Sequence, residues 1–462
     1  MANFWDFSVW GGLFLMAVLL CSLLIGNMLK KAIPFLRDSL IPTSVIGGLI
    51  LLIISEIFNL ITGKNLFELS IFGANGYNNL EIITYHCLAL GFIAASLKSS
   101  NKKLTKERTN EIFNTGVTTV STYLLQAVLG FGITIIAGFI MDGFFSAAGV
   151  LLPFGYGQGT GQALNYGNIY ETEYGFVGGK SFGLTIAALG FLSASIGGVV
   201  HLNVLKRKGK LVIRKAMDGS TYSEKVEGEN EIPMQGSIDK TTVQIALILL
   251  SYVLAYGVMY LLALLLPGMK STIFGFNFLI GVLTATLVKG VLNFLRKKNI
   301  VKKQYVNNFL MTRASNFFYD VMVVAGIAAI RLSVLENYWG VIIILGVVGL
   351  VATYAYNRCV ANKLFKDYKE EQFLAMYGML TGTASTGIIL LREVDGDFIT
   401  PAADNLVYQN FPAIVFGFPM MLLATLAPKE PYLTLGILVA FFLVMNVILF
   451  RKQIFRRKKK KV

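Results

Sequence analysis

The chain has 462 residues, 55% of them hydrophobic and only 15% charged, with a mean hydropathy of +0.64. Soluble domains carry roughly 25% charged residues, so the composition excludes an ordinary soluble domain and points to a polytopic membrane protein. The net charge of +15 raises nucleic acid as a partner, whereas three scattered cysteines and two histidines exclude a disulfide framework and a His/Cys metal or catalytic cluster.

A helix needs about 20 mostly apolar residues to cross the bilayer. On that rule the sequence predicts spans near 8–29, 41–62, 80–97, 114–140, 174–204, 241–266, 272–294, 315–334, 338–357, 403–427 and 431–450. The first does not read as a cleaved signal, because no basic segment precedes it and Lys30-Lys31 follow it. Between the fourth and fifth spans lies F-G-Y-G-Q-G-T-G-Q-A-L-N-Y-G (Phe154–Gly167). Between the ninth and tenth lies G-M-L-T-G-T-A-S-T-G (Gly378–Gly387), with the shared Gly-Thr step 223 residues further on. Glycine disfavours helix in both. Each has the length of a helical hairpin that enters and leaves the membrane on one side, near 145–168 and 373–392.

If both hairpins return to their own side, alternate loops share a face, and 35 of the 41 Lys and Arg fall on one face. Only Lys64, Lys270 and Lys429 fall on the other, with Lys180, Lys289 and Arg331 in or beside spans. The positive-inside rule makes the rich face cytoplasmic, the N-terminus external and the C-terminus internal. Charge spread along a membrane face argues against nucleic acid, and the tail R-R-K-K-K-K suits anionic membrane lipid.

The predicted fold is an all-α polytopic membrane protein. It has two inverted-topology repeats, each of five transmembrane helices plus a re-entrant hairpin, and one extra C-terminal helix. Residues 1–204 form the first repeat, 205–240 a cytoplasmic linker, 241–427 the second repeat, and 428–462 the extra helix and basic tail. Five crossings is an odd number, so the second copy is inserted upside down and the hairpins enter from opposite sides. Matched broken segments in two halves are the best sequence pointer to a transporter's binding site. The predicted substrate-binding residues are Gly157, Gln158, Gly159, Thr160, Gly161 and Gln162 in the first hairpin. In the second they are Thr381, Gly382, Thr383, Ser385 and Thr386. Their neutral oxygens and amides can bond a carboxylate or coordinate Na⁺ without burying a fixed charge. Asn165, Asp320, Asn405 and Asn410 are the candidate cation-binding residues, Pro412 freeing a backbone carbonyl beside the last two. Other glycine pairs, Gly47-Gly48, Gly178-Gly179 and Gly197-Gly198, read as close-packing positions.

Several segments resemble the bacterial sodium/glutamate symporter family over most of the chain. Ile41–Leu49, I-P-T-S-V-I-G-G-L, is similar to its I-P-x-P-V-x-G-G-L, and Leu90–Leu97 to its third-span motif. Gly157–Ala163 resembles its first-hairpin G-H-G-T-x-A-A, followed by Tyr174-Gly175-Phe176 and a glycine-rich fifth span. The resemblance implies a homodimer in the bacterial inner membrane, with moving hairpin-bearing domains and Na⁺-driven uptake of glutamate. The departures fall at the hairpins: Gly-Gln replaces the family's His, and Leu380–Gly387 lacks its proline. No cofactor is expected beyond Na⁺ as coupling ion.

Charges inside a bilayer are usually paired or functional. Asp320 either lines a pathway or caps a polar helix end; Lys180 either attracts an anionic substrate or snorkels outward; Arg331 and Lys289 read as snorkelling. The leading function is Na⁺-coupled import of an anionic amino acid, with glutamate the leading substrate. The alternatives are a proton-coupled dicarboxylate or other organic-anion carrier using Asp320, and a membrane sensor docking a partner through residues 205–240. A membrane-integral enzyme is disfavoured, since no HExxH or similar metal motif occurs.

Overall fold

The structure, a computed structural model, describes residues 3–98, 105–214, 231–234, 237–396 and 398–454. The polybasic tail and the middle of the linker lie outside the described residues. Among the described residues there is no strand, only two isolated bridges.

Counting α-helices of seven residues or more, the first five are α1 (Phe7–Ala32), α2 (Thr43–Thr62), α3 (Gly76–Leu97), α4 (Lys106–Ile140) and α5 (Leu151–Tyr174). Then come α6 (Gly179–Arg207), α7 (Lys240–Leu265), α8 (Asn277–Lys297), α9 (Asn308–Ala328) and α10 (Trp339–Leu364). The last are α11 (Lys369–Leu380), α12 (Ala384–Arg392), α13 (Ala402–Tyr408), α14 (Asn410–Leu426) and α15 (Pro431–Leu449). Nine of the described helices are long and apolar enough to cross a membrane, and ten if α13 and α14 count as one span bent by 51°. The chain is an all-helical polytopic membrane protein.

Three expectations about spans are corrected. The predicted span near 315–334 forms α9, which starts earlier, in the polar stretch N-F-L-M-T-R-A-S-N, and ends at Ala328. It is not one of the nine, and Arg331 lies beyond it. The span near 174–204 begins at Gly179, after Gly175 and Gly178 turn the chain with φ of 70° and 79°. The span near 403–427 is bent where Pro412, lacking an amide hydrogen, interrupts the helical ladder.

The helices pack in two groups. In the first, α1 packs on α2, α2 on α9, α9 on α3, α3 on α8 and α8 on α7. In the second, α4 crosses α10, and around that pair stand α5, α6, α11, α12, α14 and α15. Small residues permit the close approaches: Gly47 packs on Ser22, Gly179 on Gly167, Gly197 on the Tyr377 ring and Gly198 on Leu390. Tyrosines at helical spacing join α5 to α14, where Tyr166, Tyr170 and Tyr174 donate to the carbonyls of Met421, Ala424 and Thr425.

Candidate functional site

Each glycine-rich segment doubles back on itself. Helix α5 is broken at Gly159, where φ is 78° and ψ −171°, a conformation almost confined to glycine. Phe154 and Tyr166 lie on opposite sides of the break. Twelve residues of straight helix would separate them by about 18 Å, yet their rings stack with centroids 3.8 Å apart. The second segment is α11, the turn Thr381-Gly382-Thr383, and α12. A Cβ on Gly378 would lie 2.8 Å from Gly387 Cα, so only a glycine lets these two arms touch. We refer to these as hairpin 1 and hairpin 2.

The two tips meet. A Cβ on Gly159 would lie 3.3 Å from Thr383 Cγ2 and 3.7 Å from the Gly382 carbonyl. The second arm of each hairpin starts at its tip, so two helix N-termini, with their partial positive charge, converge there. Helix α9 closes one side: Thr160 Oγ1 donates to the Met322 carbonyl at 3.4 Å, and the Met322 side chain packs against Gly159 and Gly161. Helix α6 closes another, with Gly190 against the Thr381 carbonyl and Phe191 against Gly382.

The predicted substrate residues therefore gather, with different exposures. Gly157, Gly159, Thr160, Gly161 and Gln162 are buried and Gln158 half-buried; Thr381, Gly382 and Thr386 are buried, Thr383 and Ser385 half-buried. Thr381 bonds back to the Tyr377 carbonyl at 2.7 Å, and the Thr383 and Thr386 hydroxyls lie 3.4 Å apart. Gln162 Oε1 accepts from Asn165, which fixes its amide and leaves Nε2 a buried donor without an acceptor; Gln158 Nε2 is in the same state.

The four predicted cation residues are not brought together. Asn165 donates to Gln162 and, at 3.1 Å, to the Gly275 carbonyl. Asn405, behind hairpin 2, donates to Tyr368 and Gln372 and leaves its own oxygen without a partner. Asn410 is exposed and accepts from Gln409. Asp320 is exposed on α9, two residues before Met322 and so about 200° around the helix from the tip contact.

The remaining charges read by sequence as snorkelling or substrate-attracting all have partners. Lys180, in the first turn of α6, bonds Glu81 at 2.8 Å and lies 3.6 Å from Glu171. Arg331 reaches the other oxygen of Glu81 at 3.4 Å and stacks over the Tyr77 ring. Lys289 donates to the Ser96 and Lys98 carbonyls at the C-terminus of α3, where the helix dipole favours a cation.

Sequence reasoning missed the polar residues of α4 and α10 behind the tips. Tyr123 donates to the Gly157 carbonyl of hairpin 1 at 3.0 Å, and Gln126 to the Leu380 carbonyl of hairpin 2 at 2.9 Å. A signal existed: T-Y-L-L-Q at Thr122–Gln126 recurs as T-Y-A-Y-N at Thr353–Asn357. The chain matches the model of a protein family described as sodium/glutamate symporter over residues 11–396. No curated protein matches it.

Proposed function

The chain belongs to the sodium/glutamate symporter family, and on that premise we propose that it imports an anionic, glutamate-like amino acid together with Na⁺ by alternating access. In this reading residues 1–204 and 241–427 are inverted repeats, hairpin 1 entering from outside and hairpin 2 from the cytoplasm. One site between the tips then opens alternately to either side. The observation that carries the reading is the meeting of the two broken helices at Gly159 and Thr383.

Two further features support it. Helix pairings repeat between the halves: α1 on α2 and α7 on α8, α2 on α9 and α8 on α3, α6 on α10 and α14 on α4. The chemistry near hairpin 1 suits an anion, because the buried Gln158 and Gln162 amide donors lack the acceptor that a substrate carboxylate supplies. Converging helix N-termini add partial positive charge without a fixed cation. A homodimer in the bacterial inner membrane completes the reading.

The test is uptake into proteoliposomes from a panel of labelled acidic amino acids and dicarboxylates, with and without a Na⁺ gradient. Uptake should follow the gradient and be lost when Gly159 or Gly382 is replaced by leucine. Normal uptake in both variants sinks the proposal. Replacing Na⁺ by choline at fixed pH separates it from a proton-coupled carrier using Asp320, whose uptake would persist.

A further inference from the structure

We propose that a Na⁺ ion binds where α4 crosses α10, held by neutral oxygens of Thr122, Gln126, Thr353 and Asn357 beneath the tip of hairpin 2. The inference rests on the Na⁺-coupled reading above and gives the ion a location. These four residues are at most 2% exposed. On each helix they stand four residues apart and share a face. The side chains interlock: Gln126 Nε2 donates to Thr353 Oγ1 at 2.8 Å, and Asn357 Nδ2 lies 3.4 Å from Thr122 Oγ1.

The amides cannot be turned over. Gln126 Nε2 also donates to the Leu380 carbonyl at 2.9 Å, and Asn357 Nδ2 to the Thr353 carbonyl at 3.0 Å. A carbonyl only accepts, so both nitrogens must stay where they are. Gln126 Oε1 and Asn357 Oδ1 are thereby left buried with no hydrogen-bond donor among the protein atoms. Two orphaned acceptors in one interlocked cluster are costly unless a donor or a cation meets them. Thr122 and Thr353 add hydroxyl oxygens to the same cluster.

The ligand set selects the ion. All the donors are oxygen, which suits a hard cation, and none carries charge, which favours a monovalent ion over Ca²⁺ and its carboxylate-rich sites. Leu380 ends α11, so the carbonyl end of a half-helix, with its partial negative charge, points at the cluster. By contrast Asn405 has a single orphaned oxygen, and the Gln372 oxygen beside it is already used.

The location also explains how an ion could set the substrate site. Gln126 ties the cluster to the carbonyl just before Thr381-Gly382-Thr383, while Tyr123, in the same turn of α4, holds Gly157 of hairpin 1. An ion drawing on the Gln126 oxygen fixes the amide whose nitrogen holds hairpin 2. Both tips are then ordered by one turn of α4.

The test reads binding rather than transport. Purified full-length protein in detergent is melted across a NaCl series, with choline chloride holding ionic strength constant and KCl as a control. The wild type should gain a saturable, Na⁺-specific rise in Tm. In Asn357→Ala and in Thr353→Val the half-saturating Na⁺ concentration should rise by at least about tenfold, with Tm in choline near that of the wild type. Asn357→Asp, which keeps an oxygen, should retain the response. If either Ala or Val variant is folded and saturates at the wild-type Na⁺ concentration, the location is wrong while Na⁺ coupling stands. If the wild type itself shows no Na⁺-specific rise, the coupling reading fails and the site with it.

Discussion

Hairpins 1 and 2 are built from similar letters but covered differently. The tip of hairpin 1 is buried: Gly159 and Gly161 are packed by Met322 of α9 and Leu88 of α3, both in the first helix group. Hairpin 2 packs on α6 and α10 of its own group and on the short α13, and past its turn Ala384 is exposed with Thr383 and Ser385 half-buried. The end of hairpin 1 away from its tip is also fastened, through Glu171 to Lys180 and so to Glu81 and Arg331. At the base of hairpin 2 stands the contact of Arg214 with the buried Glu371 and the Asp367 carbonyl. One hairpin is gripped from both groups; the other is held mainly by its own. On the alternating-access reading proposed above, the loosely covered element is the one free to move first.

The largest expected difference lies at the tips. Gly159→Ala places a side chain in a backbone conformation almost confined to glycine, so initial Na⁺-driven uptake should fall by at least about tenfold. The Cβ in Gly382→Ala meets Thr386 Oγ1 at 2.9 Å, Phe191 Cδ1 at 3.0 Å and the Gly378 carbonyl at 3.2 Å, but the backbone there is not left-handed, so small shifts relieve it and the loss should be about two- to threefold. Equal losses in the two variants would break the contrast. Next in size is Glu81→Gln, which removes one carboxylate from two cations across the two groups. It should destabilise the protein by about 1–3 kcal/mol, read as a lower Tm, and increase labelling of a cysteine introduced at the end of hairpin 1 away from its tip. The smallest effect belongs to Arg214→Lys, which keeps a cation beside the buried Glu371 carboxylate and loses the contact with the Asp367 carbonyl. The cost should stay near about 1 kcal/mol or below, that of one hydrogen bond; a larger drop in Tm than that of Glu81→Gln would reverse the comparison.

Hydrophobic runs and the two glycine clusters were enough to read the class of fold and the places where the chain doubles back. A break within Phe154–Gly167 follows from glycine content, and most span limits from apolar length. What sequence could not give is partnership across distance. Lys180 looked like a lone charge because Glu81, its partner, stands 99 residues away. The apolar Ala329-Ile330 after α9 looked like more helix, although the chain turns there so that Arg331 can reach Glu81. Thr122–Gln126 and Thr353–Asn357 were legible as a repeated pattern, but acquire meaning only when α4 and α10 cross and set two amides face to face with each other's threonines. The four cation candidates failed to gather for the same reason: polarity within an apolar run marks a residue as unusual without saying which neighbour satisfies it.

Helix α4 has one further property. Its 35 residues make a rod of about 52 Å, against a hydrocarbon thickness of about 30 Å. The rod touches both hairpins midway, at Tyr123 and Gln126, and its first turns are bolted to the segment just past α15, where Arg451 bonds Asn110 and Asn114. A tilt at the centre is therefore magnified at the end that projects from the lipid. A fluorophore beside Arg451 would turn that lever into a pointer, reporting from the aqueous side how the buried tips are moving.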